Sequence, residues 1–195
     1  MLRRGEIVRK TSETDITLSL SLDGQGEWRG NTSVPFLNHL LAAFTRHGLF
    51  NLEVQATGDL EVDDHHTVED VGICLGKALR EALGDKRGIV RFGSALVPMD
   101  DALAMVAVDL SGRAYLSYNV NLPTAMVGTF ATELVEEFWQ KFTEQAGITM
   151  HIRLLEGRNT HHIIEAIFKA AGRALRVACE FDARVPGVPS TKGQL

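Results

Sequence analysis

The chain has 195 residues, 45% of them hydrophobic, and a net charge of −5 from 20 basic and 25 acidic side chains. That length holds one domain or two small halves, and the apolar fraction supports an ordinary core, which excludes a disordered chain. The basic residues are scattered, which excludes a nucleic-acid-binding stripe, and no apolar run approaches the ~20 residues that cross a bilayer.

Residues 3–10 and 15–22 read as strands, the second alternating through Ile16, Leu18, Leu20 and Leu22. Residues 34–47 read as a helix with Leu37, Leu40, Leu41 and Phe44 on one side, closed by Gly48 as the C′ residue. A strand over 49–56, a Gly-Asp turn and a long helix over 65–83 complete the first half. Residues 89–97, 102–110 and 114–119 then read as strands, 131–146 as an amphipathic helix, 148–155 as a strand and 161–181 as a second long helix. The tail VPGVPSTKGQL has no periodicity and reads as a loose or a substrate-facing arm. Arg3 and Arg4 precede polar residues rather than an apolar stretch, so no secretory signal is expected. Cys74 and Cys179 sit in apolar helical patterns without CxxC spacing, and read as buried free thiols of a cytoplasmic protein.

The order repeats. His65-His66 opens one long helix and His161-His162 the other, 96 residues apart (161 − 65), and Glu69 falls on Glu165, Gly76 on Gly172 and Arg80 on Arg176. The repeat predicts an internally duplicated α+β fold, each half a two-layer sandwich of strands then helix-strand-helix, with the long helices meeting between the sheets. The halves are expected at 1–87 and 88–184, with an arm at 185–195.

In each copy the first His and the Glu are four residues apart and share a helix face, while the second His points about 100° away. Each helix start therefore offers a His/carboxylate chelate in one direction and a lone imidazole in another. Two metal sites follow, each combining the chelate of one copy with the lone His of the other. Upstream, Phe44-Thr45 matches Phe142-Thr143 at a spacing of 98, which sets His39 opposite Glu137. The candidate ligands are His39, His65, His66, Glu69, Glu137, His161, His162 and Glu165, a mixed imidazole and carboxylate set suited to Mn²⁺, Fe²⁺, Co²⁺ or Zn²⁺. Asp70 is excluded, because its partner is Ala166. Asp63, Asp64, Asn159 and Thr160 read as N-caps, His47 as a helix-end structural residue and His151 as solvent-facing.

At these residues the chain resembles the imidazoleglycerol-phosphate dehydratases. The carriers include FLNHLLAAFTRHGLFNLEV, GDLEVDDHHTVEDVGICLG, RFGSALVPMDDAL, GRNTHHIIEAIFKAAGRALR and PSTKGQL, and the match spans essentially the whole length. The resemblance implies a ribosomal protein S5 domain 2-like fold, two Mn²⁺ per active site, and a homo-oligomer of twenty-four subunits with sites between them. It implies one metal on His39, His66, His161 and Glu165, and the other on His65, Glu69, His162 and Glu137. It further implies a phosphate held by Arg91, Arg113, Lys169, Ser190 and Lys192, with Glu13 as acid/base. The implied reaction removes water from imidazole glycerol phosphate to give imidazole acetol phosphate in histidine biosynthesis, through a dimetal-bound imidazolate. Position 137 is often His in that family and is Glu here; the stretch after His39 often reads Met-Leu-Asp and is Leu40-Leu41-Ala42 here. Two rivals share much of the residue set: a dimetal phosphomonoesterase, and a non-catalytic assembly protein stapled by metal. Neither nucleic acid nor membrane is an expected partner.

Overall fold

The computed structural model describes residues 3–195. The first half carries β1 (Arg4–Lys10), β2 (Thr14–Ser21), β3 (Glu27–Asn31), α1 (Pro35–Gly48), β4 (Asn51–Gly58) and α2 (His65–Leu83). The second carries β5 (Phe92–Met99), β6 (Ala102–Asp109), β7 (Tyr115–Asn119), a small β8–β9 hairpin (Met126–Val127 and Phe130–Ala131), α3 (Leu134–Ala146), β10 (Thr149–Glu156) and α4 (Thr160–Cys179). Each half makes one four-stranded sheet, in the orders β1-β2-β4-β3 and β5-β6-β10-β7. The first three strands of each order are antiparallel and the last pair is parallel, because the connection to β4 or β10 crosses over through α1 or α3.

The duplication extends to single contacts. Gly5 of β1 and Gly93 of β5, 88 residues apart, lie against the carbonyls of Ala78 and Ala174; a Cβ would stand 2.1 and 2.0 Å from those oxygens. Thr45 and Thr143 each donate a 2.6 Å hydrogen bond to the carbonyl four residues back. The offset grows from 88 in the first strands to 98 at α1 and α3, because the β8–β9 hairpin occupies a longer connection between Asn119 and Leu134.

The four helices fill the space between the two sheets, but the long helices do not pair with each other as their apolar faces suggest. Each packs on its own sheet and against the short helix of the other half, α2 on α3 and α4 on α1. Glycine permits this: a Cβ at Gly76 would sit 2.5 Å from the Phe142 carbonyl, and one at Gly172 2.4 Å from that of Phe44. Trp139, Phe138, Phe142, Phe168 and Phe44 are buried at these crossings, with Trp139 and Phe168 centroids 4.7 Å apart.

Several boundaries differ from expectation. Strand β3 has no counterpart among the expected strands, because EWRGN has no apolar alternation. β5 begins at Phe92 rather than 89, since Arg91 takes a φ of 75° and ends the approach to the sheet. The left-handed residue closing α1 is Leu49, at φ 54°, and not Gly48. Gly48 is the last helical residue, needed because a Cβ there would strike the Phe50 ring at 2.5 Å. His151 is half-buried, its ring 5.8 Å from that of Tyr115. Among the described residues, no helix is long and apolar enough to cross a membrane.

Candidate functional site

The ligand candidates gather at the starts of the long helices. Asn159 caps α4, its side chain accepting from the amides of His161 and His162, and this sets the first turn that aims both imidazoles. In α2 the same task falls to Asp63, which accepts from the His65 amide at 2.7 Å; Asp64 makes no side-chain cap.

Two three-residue groups result. In the first, at the α1–α4 crossing, the Nε2 atoms of His39 and His161 lie 3.1 and 3.2 Å from Oε2 of Glu165. Burial pushes the Glu165 carboxyl up, but Lys169 at 2.7 Å and His39 outweigh it and hold the pKa down to about 2. In the second, at the α2–α3 crossing, His65 Nε2 is 3.9 Å from Glu69 Oε2, and Lys141 joins Glu69 to Glu137 at 2.9 and 3.3 Å. The Lys141 ammonium is held charged by Glu69 first and then Glu137. Within each group the three donor atoms lie within 4.8 Å of one another. Donors about 2.1 Å from one ion stand at most about 4.2 Å apart, so small rotamer adjustments suffice for a divalent ion. Mixed imidazole and carboxylate donors fit such an ion.

Neither group contains His66 or His162. His66 Nδ1 sits 3.0 Å from Asp59 and its Nε2 3.9 Å from Glu13. The Asp59 hydrogen bond raises the His66 pKa. His162 Nδ1 sits 2.7 Å from Asp101 and its Nε2 3.4 Å from Asp100. The His162 hydrogen bond and the amides of Asn159 and Arg158 hold the Asp101 carboxyl well below the usual range. A carboxylate on Nδ1 fixes the ring and its tautomer, as in metal-ligating histidines. Asp59, Asp101 and Lys141 were not singled out in the sequence; only the register of the turns and helix faces reveals them.

Asp70 is buried and joins neither group: Oδ1 pairs with Arg9 at 2.8 Å and Oδ2 accepts from Thr14 at 2.5 Å. It thereby fixes the turn that carries Glu13, which is exposed beside His66. His47 is half-buried in the last turn of α1, and burial followed by Lys169 and Arg173 lowers its pKa.

The phosphate candidates divide. The tail is docked, not loose: Arg91 donates to the Pro189 carbonyl at 2.8 Å, and Gly112 lies against Leu195. This brings Ser190 and Lys192 to the neighbourhood of Arg91 and Arg113. Arg91 also forks onto Asp109 at 2.7 and 3.1 Å, leaving two of its five N–H groups, while Arg113 is mostly exposed. Lys169 stands apart, beside Glu165. Nine residues of helix separate it from Ala178, whose carbonyl holds the Arg91 amide, a rise of about 13 Å.

Comparison with known proteins gives one consistent result. The family model of imidazoleglycerol-phosphate dehydratase matches residues 32–175. Proteins of that name from Moorella thermoacetica and Bacillus subtilis are each 56% identical to this chain, and each pairing covers 100% of both chains. The crystal structure of the Staphylococcus aureus enzyme superposes with a TM-score of 0.84 at 46% identity, covering 92% of this chain and 99% of that one. A Pyrococcus furiosus structure in complex with (S)-C348 gives 0.82 at 42% identity, over 97% and 100%.

Proposed function

The chain belongs to the imidazoleglycerol-phosphate dehydratase family and catalyses that dehydration in histidine biosynthesis, and from this premise we propose how its residues do so. His39, His161 and Glu165 hold one divalent ion with His66 of another subunit, and His65, Glu69 and Glu137 hold the second with His162 of another subunit. The carrying observation is that each chain builds two three-donor groups, while its remaining two histidines lie outside them with Nδ1 held by Asp59 and Asp101. Mn²⁺ fits the donor set. Ions bound there would supply Lewis acidity to the two ring nitrogens, making the ring the electron sink for a hydrogen with no adjacent carbonyl.

The chain's own groups do the rest. Glu13, exposed next to His66, moves the proton between carbon and the leaving hydroxyl. Arg113, Arg91, Ser190 and Lys192 bind the phosphate dianion, Arg91 with the two N–H groups that Asp109 and the tail leave over. Lys169 serves a phosphate bound beside Glu165. The ~13 Å between these cations along α4 supports a site completed by neighbouring subunits, as does the exposure of Val8, Phe92, Leu96, Tyr115 and Phe181. The assembly in this proposal is the twenty-four-subunit shell, and its place the cytoplasm, which the two free, buried thiols suit.

The test is incubation with Mn²⁺ and imidazole glycerol phosphate, following the enolisable ketone and free phosphate together. Ketone without phosphate release supports the proposal. Phosphate release would indicate a phosphomonoesterase, and no turnover with metal bound a structural staple.

A further inference from the structure

Glu69 and Glu165 hold equivalent places in the two long helices, and each is gripped by an ammonium on the oxygen turned away from its histidine. In the second half that ammonium is on the same helix: Lys169 lies 2.7 Å from Oε1 of Glu165, while Oε2 faces His39 and His161. The residue four positions after Glu69 is Ile73, so α2 cannot do the same. There the ammonium arrives from α3: Lys141 lies 2.9 Å from Oε1 of Glu69, while Oε2 faces His65.

Lys141 also does something Lys169 does not. It reaches Oε1 of Glu137 at 3.3 Å, one helical turn back. Glu137 is where the two groups differ, since its counterpart in α1 is His39. The first group has one carboxylate with one ammonium, and the second has two carboxylates with one ammonium. We infer that Lys141 is a positioning residue that sets the charge of the second metal cradle, cancelling the carboxylate that Glu137 places where the first cradle has a histidine. By tying both Oε1 atoms it leaves Oε2 of Glu69 for an ion and reduces the pull on that ion. The inference rests on the two-cradle reading above and concerns how tightly the second ion is held.

Charge makes the test a ladder. Counting Glu69, Glu137 and Lys141, the cradle carries −1; Lys141→Met makes it −2, Glu137→His makes it 0, and the double variant returns it to −1. The assembled protein is dialysed against buffers of fixed free Mn²⁺, and bound Mn²⁺ per chain is measured by elemental analysis. Lys141→Met should retain the second ion to free Mn²⁺ on the order of tenfold lower, Glu137→His should lose it at on the order of tenfold higher, and the double variant should return to about the native midpoint. Lys141→Arg keeps the charge and should leave the midpoint in place. In excess chelator Lys141→Met should melt below the native chain, because Glu69 and Glu137 then face each other uncompensated. A purely structural lysine would lower metal retention and melting temperature together. Weaker or unchanged retention in Lys141→Met, or a double variant that does not return, overturns the inference. A native chain that takes up fewer than two ions overturns the two-cradle reading and this inference with it.

Discussion

At the scale of single residues, the proposed chemistry assigns roles to carboxylates whose neighbours differ. Glu13 is exposed and held only by its turn, which Asp70 secures through Thr14. Glu13→Gln keeps shape and hydrogen bonding but removes the proton shuttle, so turnover should fall ~10²–10⁴-fold with metal content and substrate binding retained. Steady-state kinetics with a metal assay checks this, and near-normal turnover would remove Glu13 from the mechanism. Glu165 is the opposite case, buried and held at about 2 by Lys169 and His39 against the cost of burial. Its folded pKa lies below the unfolded value, so its contribution is present above about pH 4.3 and is lost as pH falls toward 2. Glu165→Gln in chelator should therefore flatten the fall of the denaturant midpoint between about pH 4.3 and 2, while a slope matching the native chain would place the acid sensitivity elsewhere.

At the scale of elements, the helix crossings rest on glycine. Alanine usually suits a helix interior better than glycine by about 1 kcal/mol. At Gly172, however, a Cβ would stand 2.4 Å from the backbone oxygen of Phe44, which no rotamer change relieves. Gly172→Ala should destabilise by about 1–3 kcal/mol, seen as a lower denaturant midpoint at constant m-value. Most of the fold was legible because periodicity and repetition are local in sequence: Ile16, Leu18, Leu20 and Leu22 alternate, and the two His-His-x-x-x-Glu starts align without a gap. The pairing of His65 with Glu69 and of His161 with Glu165 was legible for the same reason, whereas the approach of Glu137 and His39 to them depends on the α2–α3 and α1–α4 crossings. Strand β3, Lys141, Asp59 and Asp101 were not, because their roles depend on parallel pairing or on neighbours from other elements. Helix pairing was also hidden: two apolar faces are equally compatible with long-on-long and long-on-short packing, and the choice is made by where Gly76 and Gly172 admit a backbone.

At the scale of the whole molecule, the proposal leaves the sites on one chain unfinished. The two triads sit at different helix crossings, and Arg91, which holds the tail, lies about 13 Å along α4 from Lys169. If ions bridge the triad of one subunit and the lone histidine of another, metal is also an assembly contact. Complete chelation should then reduce the mass measured by light scattering to a smaller oligomer, and restoring Mn²⁺ should rebuild it. An unchanged mass after verified metal removal would place the sites within single chains.

The separation of His66, held by Asp59, from the Glu165 triad of its own chain has a genetic consequence under the proposed sites. A chain with His66→Ala keeps its triad but cannot serve a neighbour's; a chain with Glu165→Ala has the reverse defect. Each alone should be inactive. Mixed one-to-one in chelator and reassembled with Mn²⁺, about a quarter of first-ion sites would draw an intact triad from one allele and an intact histidine from the other. Two dead alleles should then complement, and a diploid carrying both would not need added histidine.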